Sequence, residues 1–440
     1  MKMQDIPRRV HFVGVGGIGM SALAQYLHNS GYKVTGSDKI KSDRTEALVK
    51  EGVSVFIGHS EQNVGDAELV VRTSAVHDDN AEVKRALKEN VPVVLREQLL
   101  GAIFNGFKTR IAVCGTHGKT TVTAMIHQIL ETCGVSHTAL IGGVYHGNNY
   151  YFGKDVVVAE ACEFNRSFLN LNPSVCVCVN AEYDHPDCYR DEQDVLNAFE
   201  RFINNTDKDG YVVLPQHLEF LKTDKTRVFY DCDALGDLRL EMGKPVFSVK
   251  TRNSKTYPLR LKVLGVHNAC NALAAFAVAD VLNLPVNKAI EALSEFDGVD
   301  RRWTESDGVC KIVRDYAHHP TEIECSLAAA KSVADGKVIC LFQPHTYSRT
   351  QAFFDRFATC FRQADTVIYL PVYSARETPI DGINSFALAK RARELGVNAM
   401  YADSFDQAKN IALGIVRKND LLLVVGAGDI VGIADSFITV

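Results

Sequence analysis

The stretch Ile111-Ala-Val-Cys-Gly-Thr-His-Gly-Lys-Thr-Thr121 constrains the fold more than any other. An apolar β-type run ends at a glycine turn, and Lys119-Thr120-Thr121 opens a helix-like segment over residues 122–130. Strand, glycine turn, Lys-Thr and helix together make a backbone cradle for phosphates. The helix N-terminus offers unpaired N–H groups, the lysine neutralises β/γ-phosphate charge, and a threonine hydroxyl reaches Mg²⁺. The pattern is Gly115-Thr116-His117-Gly118-Lys119-Thr120-Thr121, with Val113 where the full Walker signature has its first glycine. It requires an α/β unit with a parallel sheet, and it implies a nucleoside triphosphate.

A second glycine turn lies upstream. The short apolar strand Arg9-Val-His-Phe-Val-Gly-Val15 runs into Gly14-x-Gly16-Gly17-x-Gly19, and helical spacing follows over residues 20–27. A second strand-like run ends in Ser37-Asp38, about twenty residues beyond the glycines, as in the dinucleotide-binding fingerprint. Asp38 is placed to accept from a ribose hydroxyl. Such glycines read a pyrophosphate and little else, so NAD, FAD and a UDP-sugar all remain open. Further strands are expected at 53–57, 69–73 and 91–95, with an amphipathic helix at 80–88. At 440 residues the chain is long enough for about three domains. The expected division is residues 1–107, 108–309 and 310–440. These are N-terminal Rossmann-like, central P-loop ATPase-like and C-terminal Rossmann-like domains.

In the central segment, Asp155-Val-Val-Val-Ala-Glu160 reads as a buried strand ending in a carboxylate, and residues 145–151 as a loop rich in Tyr and Asn. Residues 173–180 form another apolar strand, which runs into Ala181-Glu-Tyr-Asp-His185. Thr120, Glu160 and His185 each sit at a strand end or loop start, and jointly they form a candidate Mg²⁺ set. Glu160 alone could equally be a solvated edge charge. Asn268, at the head of an alanine-rich helix, is either an N-cap or an amide for a base edge. Residues 231–258 read as polar with short strand-like pieces. In the last segment, strands repeatedly lead into His, Arg, Glu or Asp: Asp315-Tyr-Ala-His318-His319-Pro320, Pro344-His345-Thr346-Tyr-Ser-Arg349 and Gly426-Ala-Gly-Asp429. That edge of an open α/β sheet is where ligands bind.

The net charge of −5 gives no field that would recruit nucleic acid or an anionic membrane. No apolar run approaches the ~20 residues of a spanning helix, and the first residues lack a signal-peptide core. The twelve cysteines are scattered, and no Cys-x-x-Cys pair supports a zinc site. Reduced, mostly buried thiols in a cytoplasmic protein are expected.

The ordered set Gly14-Val-Gly-Gly-Ile-Gly-Met-Ser21, Gly115 to Thr121, Glu160-Ala-Cys-Glu163, Asp184-His185, His267-Asn268-x-x-Asn271, Arg301-Arg302, Asp315 to Pro320, Pro344-His345-x-x-x-Arg349-Thr350 and Gly426-Ala-Gly-Asp-Ile430 resembles the Mur ligase family over essentially the whole chain. The resemblance implies ATP-dependent, ADP-forming amide synthesis in peptidoglycan precursor assembly. The substrates it implies are UDP-N-acetylmuramate, L-alanine and ATP, with Mg²⁺, in a monomer or homodimer. By the same resemblance Gly14, Gly16, Gly17 and Gly19 hold the UDP pyrophosphate, with Ser37 and Asp38 nearby. Gly115 to Thr121 hold ATP, and Thr120, Glu160 and His185 bind the metal. Asn268 lies by the adenine, Arg302 by the γ-phosphate and Asp315 by the ribose. His318, His345 and Arg349 face the muramyl carboxylate and the amino acid, and Lys119, Arg302, Arg349 and the two histidines carry the chemistry. The chain departs from the family pattern at three places. Cys162, Phe164 and Asn165 stand in a stretch usually close to Glu-Ala-Asp-Glu-Ser-Asp. Thr346 follows His345 where the family often has Arg, and Arg376 occupies a position usually held by a small residue. The last two bear on amino-acid choice and muramyl contacts. Alternatives are a ligase that adds a preformed peptide to the same sugar nucleotide, a catalytically impaired nucleotide-binding relative, and an NAD-dependent oxidoreductase.

Overall fold

The computed structural model describes residues 1–232 and 235–438. The chain divides into two compact units. One comprises residues 1–181, 196–230 and 274–292, and the other residues 182–195, 231–273 and 293–440.

The first unit holds two sheets. Strands β1 (Arg9–Val13), β2 (Lys33–Asp38), β3 (Ser54–Ile57), β4 (Leu69–Arg72) and β5 (Val93–Leu95) pair in parallel in the order β3-β2-β1-β4-β5. The order reverses at β1, whose carboxyl end carries Gly14 to Gly19, so the first glycine turn lies at the topological switch point. The other sheet runs β12-β11-β10-β6-β9-β7-β8. Its strands are β6 (Thr109–Cys114), β7 (His137–Tyr145), β8 (Asn148–Tyr151), β9 (Val156–Glu160), β10 (Val175–Cys178), β11 (Tyr211–Pro215) and β12 (Thr226–Tyr230). The central strands β6, β9 and β10 are buried almost throughout, which their unbroken Val/Ala/Cys runs require of a sheet covered on both faces.

The expected Tyr/Asn loop at 145–151 is instead a hairpin: β8 returns antiparallel along β7 through His146-Gly147, both at positive φ (46° and 80°). That is the backbone a two-residue primed turn needs, and the glycine supplies half of it without strain. The amide of Asn149 donates to the carbonyl of Ile18 (2.6 Å), so the hairpin buttresses the first turn of the helix Ile18–Asn29.

In the second unit, the short strand-like pieces expected within residues 231–258 form a three-stranded antiparallel sheet of β13 (Arg239–Glu241), β14 (Lys244–Lys250) and β15 (Thr256–Arg260). A six-stranded sheet follows, ordered β16-β17-β21-β18-β19-β20. It comprises β16 (Thr304–Asp307), β17 (Lys311–Asp315), β18 (Val338–Phe342), β19 (Thr366–Tyr369), β20 (Ala399–Tyr401) and β21 (Leu421–Val425). All pairs are parallel except the edge strand β16, which runs antiparallel to β17. The sheet is parallel apart from that one edge strand. Phe342, Phe357, Phe361 and Tyr369 pack on one face of it, and Ile339, Leu341, Ile368 and Phe437 on the other. These rigid layers fix the strand ends that carry Asp315, His345 and Gly426. Among the described residues no helix is long and apolar enough to cross a membrane.

Candidate active site

At the first glycine turn the N–H groups of Gly14 and Val15 donate to the Ser37 carbonyl (2.8 and 2.9 Å). The helix Ile18–Asn29 starts at Gly17 with no side-chain cap, leaving its first N–H groups for an anion. Asp38 Oδ2 accepts from Gly16 N at 2.8 Å, and a Cβ on Gly16 would lie 2.8 Å from that oxygen. The carboxylate thus braces the glycine turn. Ser37 is buried, and its hydroxyl donates to Glu82 (2.6 Å). Glu82 also accepts from Asn63 (2.6 Å) and lies 3.0 Å from the His59 ring, and His11, then Ser37, Asn63 and His59 outweigh burial to hold its pKa down at about 2. Two arginines that the spacing did not single out flank the turn. Arg44 Nε donates to the Gly16 carbonyl (2.5 Å), and Arg96 lies against the bare face of Gly19.

The second turn follows β6. Gly118 is left-handed (φ 78°, ψ −8°) and begins the helix Lys119–Thr132, while Gly115 has φ 149°. Asn180, beyond the end of β10, holds this loop at both faces of one residue: it accepts from His117 N (2.8 Å) and donates to the His117 carbonyl (3.1 Å). Lys119 Nζ bends back to the carbonyls of Gly115 (2.6 Å) and Thr116 (3.1 Å) and pairs with Glu163 at 2.8 Å. Burial opposes its charge, but the paired Glu163 raises the pKa, so it is a cation at any working pH. Glu160 ends β9 and accepts from Gly142 N at 2.7 Å. Cys162 lies where an acid was expected, and burial pushes its thiol up to about 11, so it is neutral. The Thr120 hydroxyl and the carboxylate of Glu160 are hard oxygen donors of the kind Mg²⁺ takes.

The second unit gathers the other predicted groups. Asp184 and Arg349, both almost fully buried, form a two-pronged ion pair: Nε to Oδ1 at 2.8 Å and Nη2 to Oδ2 at 3.1 Å. Burial alone would raise the Asp184 pKa, but Arg349 and then His185 override it, and the carboxyl lies far below its usual range. Arg349 Nη1 also donates to His345 Nδ1 (3.1 Å). A guanidinium only donates, so that nitrogen of His345 must accept, and the neutral ring carries its proton on Nε2. His318 is the opposite tautomer. Its Nδ1 lies 3.0 Å from the Tyr316 carbonyl, which only accepts, so the lone pair is on Nε2. The two rings are 5.9 Å apart. Burial, together with Arg349, holds His318 down at about 3 and His345 at about 4, so both are neutral near pH 7.

Arg302 pairs with Glu322 (3.1 Å) and lies over the Tyr316 ring (5.2 Å). Asp315 accepts from Ala317 N (2.9 Å) and Ser326 Oγ (3.0 Å), and burial raises its pKa. Asn268 donates to the Leu264 carbonyl (2.8 Å) and accepts from Asn271 (3.0 Å). Its side chain bonds backward instead of capping the helix. His185 adopts φ 56° beside Asp184, 3.8 Å away.

Four residues had no role assigned from spacing: Asn180, Glu163, Glu322 and Asp184. Glu322 had a signal. His319-Pro320-Thr321-Glu322 is a capping box with proline at the first helical position, and Glu322 accepts from the N–H groups of His318 (3.0 Å) and His319 (3.3 Å). The other three act through tertiary contacts that carry no local pattern.

Three family profiles match the chain in order: the Mur ligase family catalytic domain over residues 9–108, the middle domain over 113–279 and the glutamate ligase domain over 301–428. The chain belongs to the Mur ligase family, with its three-domain architecture of mixed α/β sheets, and is an ATP-dependent, ADP-forming amide ligase. It is similar to the UDP-N-acetylmuramate--L-alanine ligase of Clostridium novyi, 39% identical over 453 aligned residues, covering 99% of this chain and 98% of that one. The ligase of the same name from Clostridium perfringens is 36% identical and covers 99% of each. Among solved structures, the UDP-N-acetylmuramate-alanine ligase of Thermotoga maritima superposes with a TM-score of 0.80 at 32% identity and 98% coverage of both chains. A murein peptide ligase from Psychrobacter arcticus shares the fold, with a TM-score of 0.70 at 22% identity over 98% of each chain.

Proposed function

We propose that the protein joins L-alanine to the carboxylate of UDP-N-acetylmuramate, cleaving ATP to ADP and phosphate, in cytoplasmic peptidoglycan precursor synthesis. The observation that carries this reading is the similarity along 99% of the chain to ligases bearing that name. In this reading residues 1–107 take the UDP-sugar, 108–309 take ATP and 310–440 take the amino acid, in a monomer or homodimer.

A carboxylate resists attack by an amine because its charge repels the nucleophile and oxide cannot leave. The muramyl carboxylate oxygen therefore attacks the γ-phosphorus of ATP, ADP departs, and an acyl phosphate remains. The amine of L-alanine then attacks the acyl carbon, phosphate leaves with the C–O bond electrons, and the amine gives up a proton. Lys119 and Arg302 supply positive charge to a transfer whose charge is spread over the phosphoryl oxygens. Thr120, Glu160 and His185 would hold Mg²⁺, which neutralises phosphate charge. The tautomers divide the labour of the two histidines. His318 Nε2 has a lone pair and is the acceptor for the amine proton, whereas His345 Nε2–H is a donor, suited to a carboxylate or carbonyl oxygen.

The test is ADP formation with UDP-N-acetylmuramate and, separately, L-alanine, glycine, L-serine and a tripeptide. Turnover that needs L-alanine supports the reading, and turnover with the tripeptide alone would replace it with the peptide-adding alternative.

A further inference from the structure

We propose that Arg376 is a specificity-determining residue that binds the α-carboxylate of the incoming amino acid. This rests on the ligase reading above and goes beyond it by naming the cation. Arg349, which the resemblance places by the muramyl carboxylate and the amino acid, is already occupied. Three of its nitrogens are engaged by Asp184 and His345, and the side chain is almost fully buried. Opening that pair to admit a second carboxylate would strip a buried charge of its partner, which is costly.

Arg376 is differently placed. It is exposed and takes part in no ion pair among the described residues. The turn that carries it is pinned to the histidine segment at several points. His345 bridges Tyr373 in parallel, and their rings stack at 5.5 Å. Thr346 N donates to the Tyr373 carbonyl and Tyr373 N to the Pro344 carbonyl, both at 2.9 Å. Glu377 accepts from Ser348 N (2.8 Å) and Ser348 Oγ (2.5 Å). Arg376 is thus anchored on both sides, at Tyr373 and Glu377, next to the segment that carries His345.

Backbone strain marks the same place. Thr346, a β-branched residue, sits at φ 68°, ψ 148°, and Ala375 at φ 52°. Such conformations persist only where the surroundings enforce them. Thr346 and Arg376 lie on turns joined by the Thr346–Tyr373 hydrogen bond. The α-carboxylate of an amino acid needs a cation, and Arg376 supplies one that is not already paired among the described residues.

The experiment compares the full-length protein with Arg376→Ala and Arg376→Lys, using L-alanine and L-alaninamide, which lacks the carboxylate. Loss of a charge-assisted hydrogen bond predicts that Arg376→Ala raises KM for L-alanine by about tenfold to a hundredfold. The same change should leave kcat and the KM values for ATP and UDP-N-acetylmuramate within about twofold, and Arg376→Lys should recover part of the loss. Turnover of L-alaninamide should be unaffected. An unchanged KM for L-alanine, or an equal loss with L-alaninamide, would overturn the assignment. Absence of ADP formation by the unmodified protein with L-alanine would instead overturn the ligase reading itself.

Discussion

Replacing Asp184 by Asn removes the charge opposite Arg349 while nearly keeping the side-chain shape. Both partners are about 4% exposed. Almost none of the interaction is therefore screened by water, and almost none of the stranded guanidinium can be rehydrated. Breaking a buried pair from one side costs about 3–5 kcal/mol because the remaining charge stays buried. In a folding unit of some 200 residues that corresponds to a fall of roughly 6–20 °C in Tm. The sign with pH follows from the lowered pKa of Asp184. Its contribution is fully present above the unfolded value of about 3.9 and is lost as pH falls towards the much lower folded value. The penalty of Asp184→Asn should therefore be constant from pH 8 to 5. Calorimetry or urea unfolding would measure it, with the double variant Asp184→Asn/Arg349→Met as control. Removing both charges should cost less than the sum of the single changes, since the second relieves the stranded charge left by the first. A single-variant loss under about 1 kcal/mol, or strict additivity, would refute the view that this pair is desolvated and coupled.

Lys119→Ala should reduce ADP formation to background and also lower Tm, because it takes the paired cation away from the buried Glu163 carboxylate, and unchanged turnover would remove the phosphate loop from the reaction. His318→Gln should lower kcat at saturating L-alanine far more than His345→Gln does, because only His318 has its Nε2 lone pair free, and equal losses would undo the tautomer argument. Burial lowers His127 to about 3 and His267 to about 4, so each is neutral when folded and basic when unfolded. The stability they lend is present above about pH 6.5 and is lost as pH falls, by about 2 kcal/mol each at pH 5. His127→Gln should flatten the decline of Tm between pH 7 and 5, and an unaltered slope would count against it. Glu160→Gln should raise the Mg²⁺ concentration needed for half-maximal turnover, and an identical Mg²⁺ titration would remove Glu160 from the metal site.

Both glycine turns, as strand–turn–helix units, were readable from residues alone, because each is written in local chemistry: a strand, glycines at fixed spacing and a helix. The strands predicted at 53–57, 69–73 and 91–95 form at Ser54–Ile57, Leu69–Arg72 and Val93–Leu95. The Tyr145 to Tyr151 hairpin was not readable as strand, since its turn, His146-Gly147, lacks the usual Asn-Gly or Asp-Gly signal and the flanking residues are polar. The antiparallel edge strand Thr304–Asp307 is short and mostly exposed, so no apolar alternation announces it. At the site, spacing supplied the cations and histidines but not what holds them. Asp184 and Arg349 are 165 positions apart, and Asn180 and His117 are 63 apart. The proton positions on His318 and His345 depend on a carbonyl and a guanidinium that only the folded chain brings to them.

One arrangement recurs through the candidate site. Lys119 is paired with Glu163, Arg302 with Glu322, and Arg349 with Asp184, each pair within its own unit. An unpaired cation in these surroundings would carry a heavy desolvation cost, so the free protein needs the carboxylates in order to keep the cations at all. The consequence for catalysis depends on burial. Lys119 and Arg302 keep 14% and 30% side-chain exposure, against 5% for Arg349. The first two can share their charge with an arriving phosphate without leaving their partners. Arg349 can do so only by rupturing its pair. That ordering fits the proposal in which Lys119 and Arg302 each serve phosphoryl transfer and Arg349 supports His345, and in which the amino-acid carboxylate is left to a cation with no such tie.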